Sequence, residues 1–213
     1  MCGTIYITTA NTVRTFMNVE KTVWPLFSKP IFRTGIDASD LDLNSIEWLP
    51  NYNNWISKEQ NILEKPGFEK LAQSAYDGVC EYFYGVMRAN QRIEIAITES
   101  WLNKTEKGQV HHRHYHPNSI FSAVAYLQSE GESGQTRFIT SEYQTLEYDI
   151  DESNIYNSKS WSITPKVGEM IIFPSSVEHM VNEYLGDVPR ISLSFNTFLK
   201  GEVNTMPLTR LVL

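Results

Sequence analysis

Residues 110–128 read VHHRHYHPNSIFSAVAYLQ: a histidine-rich run, a turn, and an apolar, β-branched run. Pro117 and Asn118 are turn residues, and they stand directly between two stretches of strand-like sequence. A turn this tight makes the chain double back, so the two stretches are expected to form the arms of an antiparallel hairpin. The period of two continues through the second half in IEIAITESWLN (93–103), EMIIF (169–173) and ISLSFNTF (191–198). In the first of these, alternation assigns Ile93, Ile95, Ile97 and Trp101 to one face. Turn signals at EGESGQ (130–135), TPKVG (164–168) and YLGDVP (184–189) separate the strands, and no helical pattern intervenes. Short strands in this arrangement predict an antiparallel barrel or sandwich.

Helical sequence lies in the first half. Within GFEKLAQSAYDGVCEYFYGVM (67–87), Phe68, Leu71, Ala72, Ala75, Val79, Phe83 and Val86 recur at steps of three and four, which predicts an amphipathic helix with Cys80 inside it. A shorter helix is expected over SKEQNILEK (57–65), with Ser57 as its cap and Gln60 three residues on. Residues 141–160 are polar and acidic without a period, and are expected to form a long excursion beside the mouth of the barrel. Tyr143, Tyr148 and Tyr156 are candidates there for gripping a substrate.

With 213 residues, the chain is read as one domain, with helical support over about 1–92 and a β core over about 93–200. A net charge of −7, without a cluster of Lys and Arg, argues against nucleic acid as a partner. The first residues lack the basic and apolar regions of a leader, and no run approaches the ~20 apolar residues of a membrane span. The expected location is therefore cytoplasmic, with no membrane partner. Cys2 and Cys80 are too far apart in sequence to suggest a thiolate cage or a disulfide framework.

Four of the five histidines fall within 111–116. On an ideal strand His112, His114 and His116 share one face, with His111, Arg113 and Tyr115 on the other. His114 and His116, two apart and against the turn, can converge on one ion, and a slipped register would make His112 and His114 the pair. His179 follows the short strand that Pro174 closes, near a strand end, where a distal third ligand would belong. In RISLSFNTF, Arg190, Ser192, Ser194 and Asn196 share the face opposite Ile191, Leu193, Phe195 and Thr197. An arginine beside a hydroxyl is equipped to hold a carboxylate.

In the HYHPNS run, the SAVAYL strand, FPS with the later His179, and RISLSFN, residues 99–198 resemble the 2-oxoglutarate/iron(II)-dependent oxygenases. The resemblance implies a mostly β, α+β fold: a double-stranded β-helix, or cupin-like jelly roll, with supporting N-terminal helices. It implies iron(II) on His114, His116 and His179. It also implies the distal carboxylate of 2-oxoglutarate on Arg190 and Ser192, with Tyr126 and Asn103 lining the cavity. The activity implied is hydroxylation of an unidentified substrate with release of succinate and CO2. The superfamily's usual third ligand is a carboxylate, and here the position holds His116. Either all three ligands are histidine, or water or another carboxylate completes the set. Gly108 before the H-x-H, and Gly168, Pro174 and His179, also resemble the two cupin motifs. The acidic ligand expected near Phe121 and the glycine expected at Ser176 are missing. A cupin-type metal enzyme without 2-oxoglutarate is the alternative, and a binding protein stabilised by a structural ion is a third reading.

Overall fold

The computed structural model describes residues 22–39, 41–140 and 148–213. In chain order its strands are β1 (Phe32–Gly35), β2 (Trp48–Asn51), β3 (Asn54–Ser57), β4 (Glu94–Thr105), β5 (His111–His114), β6 (Phe121–Gln128), β7 (Thr136–Ile139), β8 (Ser160–Ile163), β9 (Glu169–Pro174), β10 (Glu178–Val181), β11 (Arg190–Lys200), β12 (Glu202–Asn204) and β13 (Leu211–Val212). Seven of them form an antiparallel sheet in the order β1-β9-β6-β11-β4-β3-β2. A second sheet runs β5-β10-β7-β8, also antiparallel, and the small hairpin β12-β13 stands apart. Two facing antiparallel sheets are the jelly-roll architecture expected from the period-two sequence. Among the described residues no helix is long and apolar enough to cross a membrane.

The central strands are buried on both faces, and alternation sorts their side chains into two cores. Phe121, Ala123 and Ala125 of β6, Met170 and Ile172 of β9, and Leu193 and Phe195 of β11 pack towards the helix α1 (Glu69–Cys80). Val124 and Tyr126 of β6, with Ile171 and Phe173 of β9, point the other way and meet Phe138 of the small sheet. The helix contributes Leu71, Ala75 and Val79. Gly78 lets it approach closely, since a Cβ there would lie 2.6 Å from the Met170 methyl.

Several expectations are corrected. The helical pattern over 67–87 does not run through as one α-helix: α1 ends at Cys80 and a π-turn spans Glu81–Val86. The wider turn rotates the face, so Tyr82 is buried with Phe83 while Val86 is exposed. Cys80 is half-buried at the helix end. No helix covers 57–65. Ser57 ends β3 instead, accepting from the Leu102 amide and donating to the Glu59 carbonyl, and only Ile62–Glu64 make a 3₁₀ turn. The support expected to be helical over about 1–92 also supplies three strands, β1, β2 and β3, to the large sheet.

A bulge in β4 changes the face of Trp101. Asn196 pairs with Glu99 and Thr197 with Ile97, leaving Thr98 as an extra residue. Ile95 therefore faces the helix before the bulge, and Leu102 does so after it. Trp101 leaves the face of Ile95 and Ile97 and lines the space between the sheets with Asn103. Leu102→Ala is thus expected to cost about 2–5 kcal/mol in urea unfolding, as a fully buried leucine does. Trp101→Ala should cost less than half as much. The reverse order would mean that β4 runs without its bulge.

Candidate active site

Between the sheets lies a cavity of about 650 Å³. Its walls carry all four polar side chains that alternation assigned to one face of β11: Arg190, Ser192, Ser194 and Asn196. His111, His112, His114, His116 and His179 line it as well.

Two loops bring the histidines together, and serines in both tie the loops to each other. The His116 amide donates to the Ser175 carbonyl at 3.0 Å, and the Ser119 and Ser175 hydroxyls lie 2.7 Å apart. Ser175 also meets Ser122, which donates to Asn196. The turn between β5 and β6 is thereby fixed to the turn between β9 and β10. Across the small sheet, His179 sits opposite His114. The ligand nitrogens of His114, His116 and His179 all lie within 4.8 Å of one another, and the Nε2 atoms of His116 and His179 are 3.4 Å apart. Two nitrogens at right angles, each about 2.1 Å from one ion, would be about 3 Å apart, so the spacing fits a shared ion.

The tautomers favour the same use. His114 Nδ1 donates to the His112 carbonyl at 2.8 Å, and His179 Nδ1 to the Val177 carbonyl at 3.0 Å. A carbonyl only accepts, so the proton sits on Nδ1 and the Nε2 lone pair is free. Burial is the main cause that lowers the pKa of each: His116 to about 4, His179 to about 3, and His114 in direction. Neutral imidazole is the ligating form.

His111, His112 and His114 make a second close set. It arises because β5 holds an extra residue between its pairings His114 with His179 and His111 with Val181. This bulge overrides simple alternation and turns His111 to the cavity, against the expectation that it faces away. His111 Nδ1 accepts from Asn54 Nδ2 at 2.9 Å, while Asn54 Oδ1 accepts from Asn51. The ring proton of His111 then lies on Nε2. Burial, followed by the neighbouring His114 and His112, pushes its pKa down to about 2. His112 is exposed, edge-on to Tyr52. Among the described residues neither close set includes a carboxylate.

Arg190 is 1% exposed, and Nη1 donates to Ser192 at 3.1 Å. Its Nε and Nη2 are buried without a hydrogen-bond partner, as are Asn103 Oδ1 and Thr105 Oγ1. Thr105 stands opposite Arg190 in the β4–β11 register, and nothing in its sequence context singles it out. Tyr126 lies with its ring 5.3 Å from the guanidinium carbon and its hydroxyl 2.9 Å from Thr136, supporting the arginine without lining the cavity. Burial lowers the Arg190 pKa from its ordinary value, with Tyr126 and Tyr184 partly offsetting it. Gly134, at φ +67°, covers the arginine's stem, and a Cβ there would come within 3.1 Å of Cδ. Asn103 donates to Ser194 at 3.0 Å. Exchanging the amide's ends, with the Ser194 hydroxyl donating instead, would leave an N–H facing the cavity. Buried, unpartnered donors around a cation suit a carboxylate guest, and three neutral imidazoles suit a divalent first-row ion.

Residues 141–147, with Tyr143, lie outside the described residues. Tyr148 and Tyr156 are exposed, and none of residues 148–160 lines the cavity. They lead into β8, the edge of the small sheet farthest from β5, where Tyr148, Ile150 and Trp161 line a separate hollow.

Residues 99–196 match the family model described as "Putative 2OG-Fe(II) oxygenase". A search of curated proteins finds no match. Among solved structures, the chain resembles an oxidoreductase of the 2OG-Fe(II) oxygenase family from Burkholderia pseudomallei, at 16% identity over 72% of each chain and a TM-score of 0.54. It also resembles HygX from Streptomyces hygroscopicus, solved with nickel, 2-oxoglutarate and hygromycin B, at 12% identity, 79% of this chain, 82% of that one and a TM-score of 0.53. A third is the epimerase SnoN in complex with Fe3+, alpha ketoglutarate and nogalamycin RO, at 13% identity, 78% and 77% coverage and a TM-score of 0.52. At such identities these likenesses are of fold. Together with the family match, they place the chain in the 2-oxoglutarate/iron(II)-dependent oxygenase superfamily, enzymes that work with iron(II) and 2-oxoglutarate.

Proposed function

We propose that the chain is a hydroxylase in which His114, His116 and His179 hold iron(II), and Arg190 and Ser192 hold the distal carboxylate of 2-oxoglutarate. The observation that carries this reading is the buried Arg190 guanidinium, two of whose nitrogens have no partner, in the same cavity as three neutral histidines. His111 is left out of the ligand set because Asn54 occupies its only lone pair. When bound, iron and 2-oxoglutarate supply the oxidising chemistry: O2 and 2-oxoglutarate are consumed, succinate and CO2 released, and one oxygen atom enters a substrate C–H bond.

The chain's own residues bind, orient and exclude water. Arg190 and Ser192 fix one end of the co-substrate by charge-assisted hydrogen bonds, each contributing roughly 1.5–3 kcal/mol. Asn103, with its amide turned by Ser194, offers a further donor along the same wall. The Val124 side chain and the Trp101 indole, 5.8 Å from the His116 ring, give the cavity apolar surface beside the histidines. The common core of β1 to β3, α1 and the later strands supports reading residues 1–213 as a single domain.

Anaerobic titration of the iron(II)-loaded chain with 2-oxoglutarate should produce a metal-to-ligand absorption band, and aerobic incubation should yield succinate. Replacing any of His114, His116 or His179 by alanine should lower iron occupancy, and His111→Ala should not. Retention of iron by all three variants would overturn the ligand assignment. Absence of the band from the wild type would return the site to a cupin-type enzyme that uses no 2-oxo acid.

Arg190→Met should weaken 2-oxoglutarate at least about tenfold, equivalent to about 1.4 kcal/mol, while iron still binds. The same variant, free of metal and co-substrate, should be as stable as the wild type or more so by up to about 2 kcal/mol in urea, because an uncompensated buried cation is removed. A marked loss of stability would mean that the guanidinium serves the fold.

A further inference from the structure

Glu99 is a carboxylate at the cavity wall that neither the proposed metal site nor the proposed 2-oxoglutarate site uses. Among the described residues lining the cavity, it is the sole carboxylate and Arg190 the sole permanent cation. They stand towards opposite ends of the same pair of strands: Arg190 opens β11, and Glu99 is paired with Asn196 six residues later. At about 3.3 Å per residue that separation is about 20 Å, with Ser192, Ser194 and Trp101 between.

Glu99 faces the cavity because of the β4 bulge. Without the extra residue at Thr98, residues 99, 101 and 103 would keep the phase of Ile95 and Ile97 and turn into the helix-side core. Its carboxylate is also held. Asn196, 4% exposed, donates to Oε1 at 2.5 Å, and its own Oδ1 accepts from Ser122, which contacts Ser175. The amide is thus oriented from behind, and it orients the carboxylate. Glu99 makes no ion pair among the described residues. Trp101, two residues along the strand and about 7 Å away, presents an indole face between Glu99 and His116.

We infer that Glu99 and Trp101 form the substrate subsite, and that it selects a substrate carrying an ammonium or guanidinium group. This rests on the oxygenase reading above. The carboxylate pairs with the cation, the indole covers its apolar stem, and the carbon to be oxidised lies between that cation and the histidines. The two co-reactants are sorted by charge: the anionic one is drawn to the Arg190 end and the cationic one to the Glu99 end.

The test uses the full chain loaded anaerobically with iron(II) and 2-oxoglutarate. Calorimetry measures Nα-acetyl-lysine methylamide against its neutral norleucine counterpart, and Nα-acetyl-arginine methylamide against the citrulline one. Spermidine serves as a free small cation, so that a side chain presented by a protein is separated from a soluble amine. A cationic probe should bind at least about tenfold tighter than its neutral partner, or spermidine should bind where neutral probes do not, and the preference should shrink with added salt. Glu99→Gln, whose side-chain carbonyl still accepts from Asn196, should reduce that preference to about threefold or less. Equal affinities in the wild type, or an undiminished preference in the variant, would overturn the inference. A missing 2-oxoglutarate band in the wild type is a separate readout and would tell against the oxygenase reading itself.

Discussion

A guanidinium buried at the start of the central strand, with no carboxylate set against it, is the constraint on which this structure turns. Taking such a charge out of water costs several kcal/mol, and one hydrogen bond to Ser192 with the ring of Tyr126 beside it offsets only part. The surroundings are built to keep it there: a strand on either side of β11, Tyr126 beneath, and a glycine at 134 where any side chain would collide with its stem. The fold's hydrophobic burial carries that cost. What the arrangement retains is a rigid, dry cation facing the cavity.

The same strand shows how a chain serves a core and a cavity at once. Leu193 and Phe195 hold the sheet to α1, while Ser192, Ser194 and Asn196 turn polar groups towards the opposite sheet. Because β11 lies between β6 and β4, its backbone is satisfied on both edges, and its side chains alone distinguish the two environments.

Where that alternation is unbroken, the site is legible in the sequence. RISLSFN displays its cavity face directly, and the turn at 116–119 marks the hairpin that carries His116. Where alternation fails, one extra residue is the cause. The bulges at Thr98 and within β5 each reverse the phase of the residues beyond them, and nothing in the local residue types announces them. Simple alternation therefore puts Trp101 and His111 on the wrong faces, and it leaves Glu99 looking like an ordinary surface acid. Val86 departs from its expected face for the helical version of the same reason, since a π-turn adds a residue to the repeat. The 57–65 segment has a capping pattern, but Ser57 is recruited by the Leu102 amide, a partner 45 residues away in the chain.

The serine contacts among Ser119, Ser122 and Ser175 divide the histidine site into two parts of unequal firmness. His116 and His179 stand on turns stapled to each other and to the central sheet, whereas His114 belongs to a four-residue strand at the edge of the small sheet. Hydrogen bonds on such an edge are among the first to open, at a free energy well below that of global unfolding. Fraying of β5 alone would withdraw one imidazole and leave the other two in place. The threshold for exchange at the centre is thus set by an edge strand, and the lifetime of an occupied site is decoupled from the stability of the barrel.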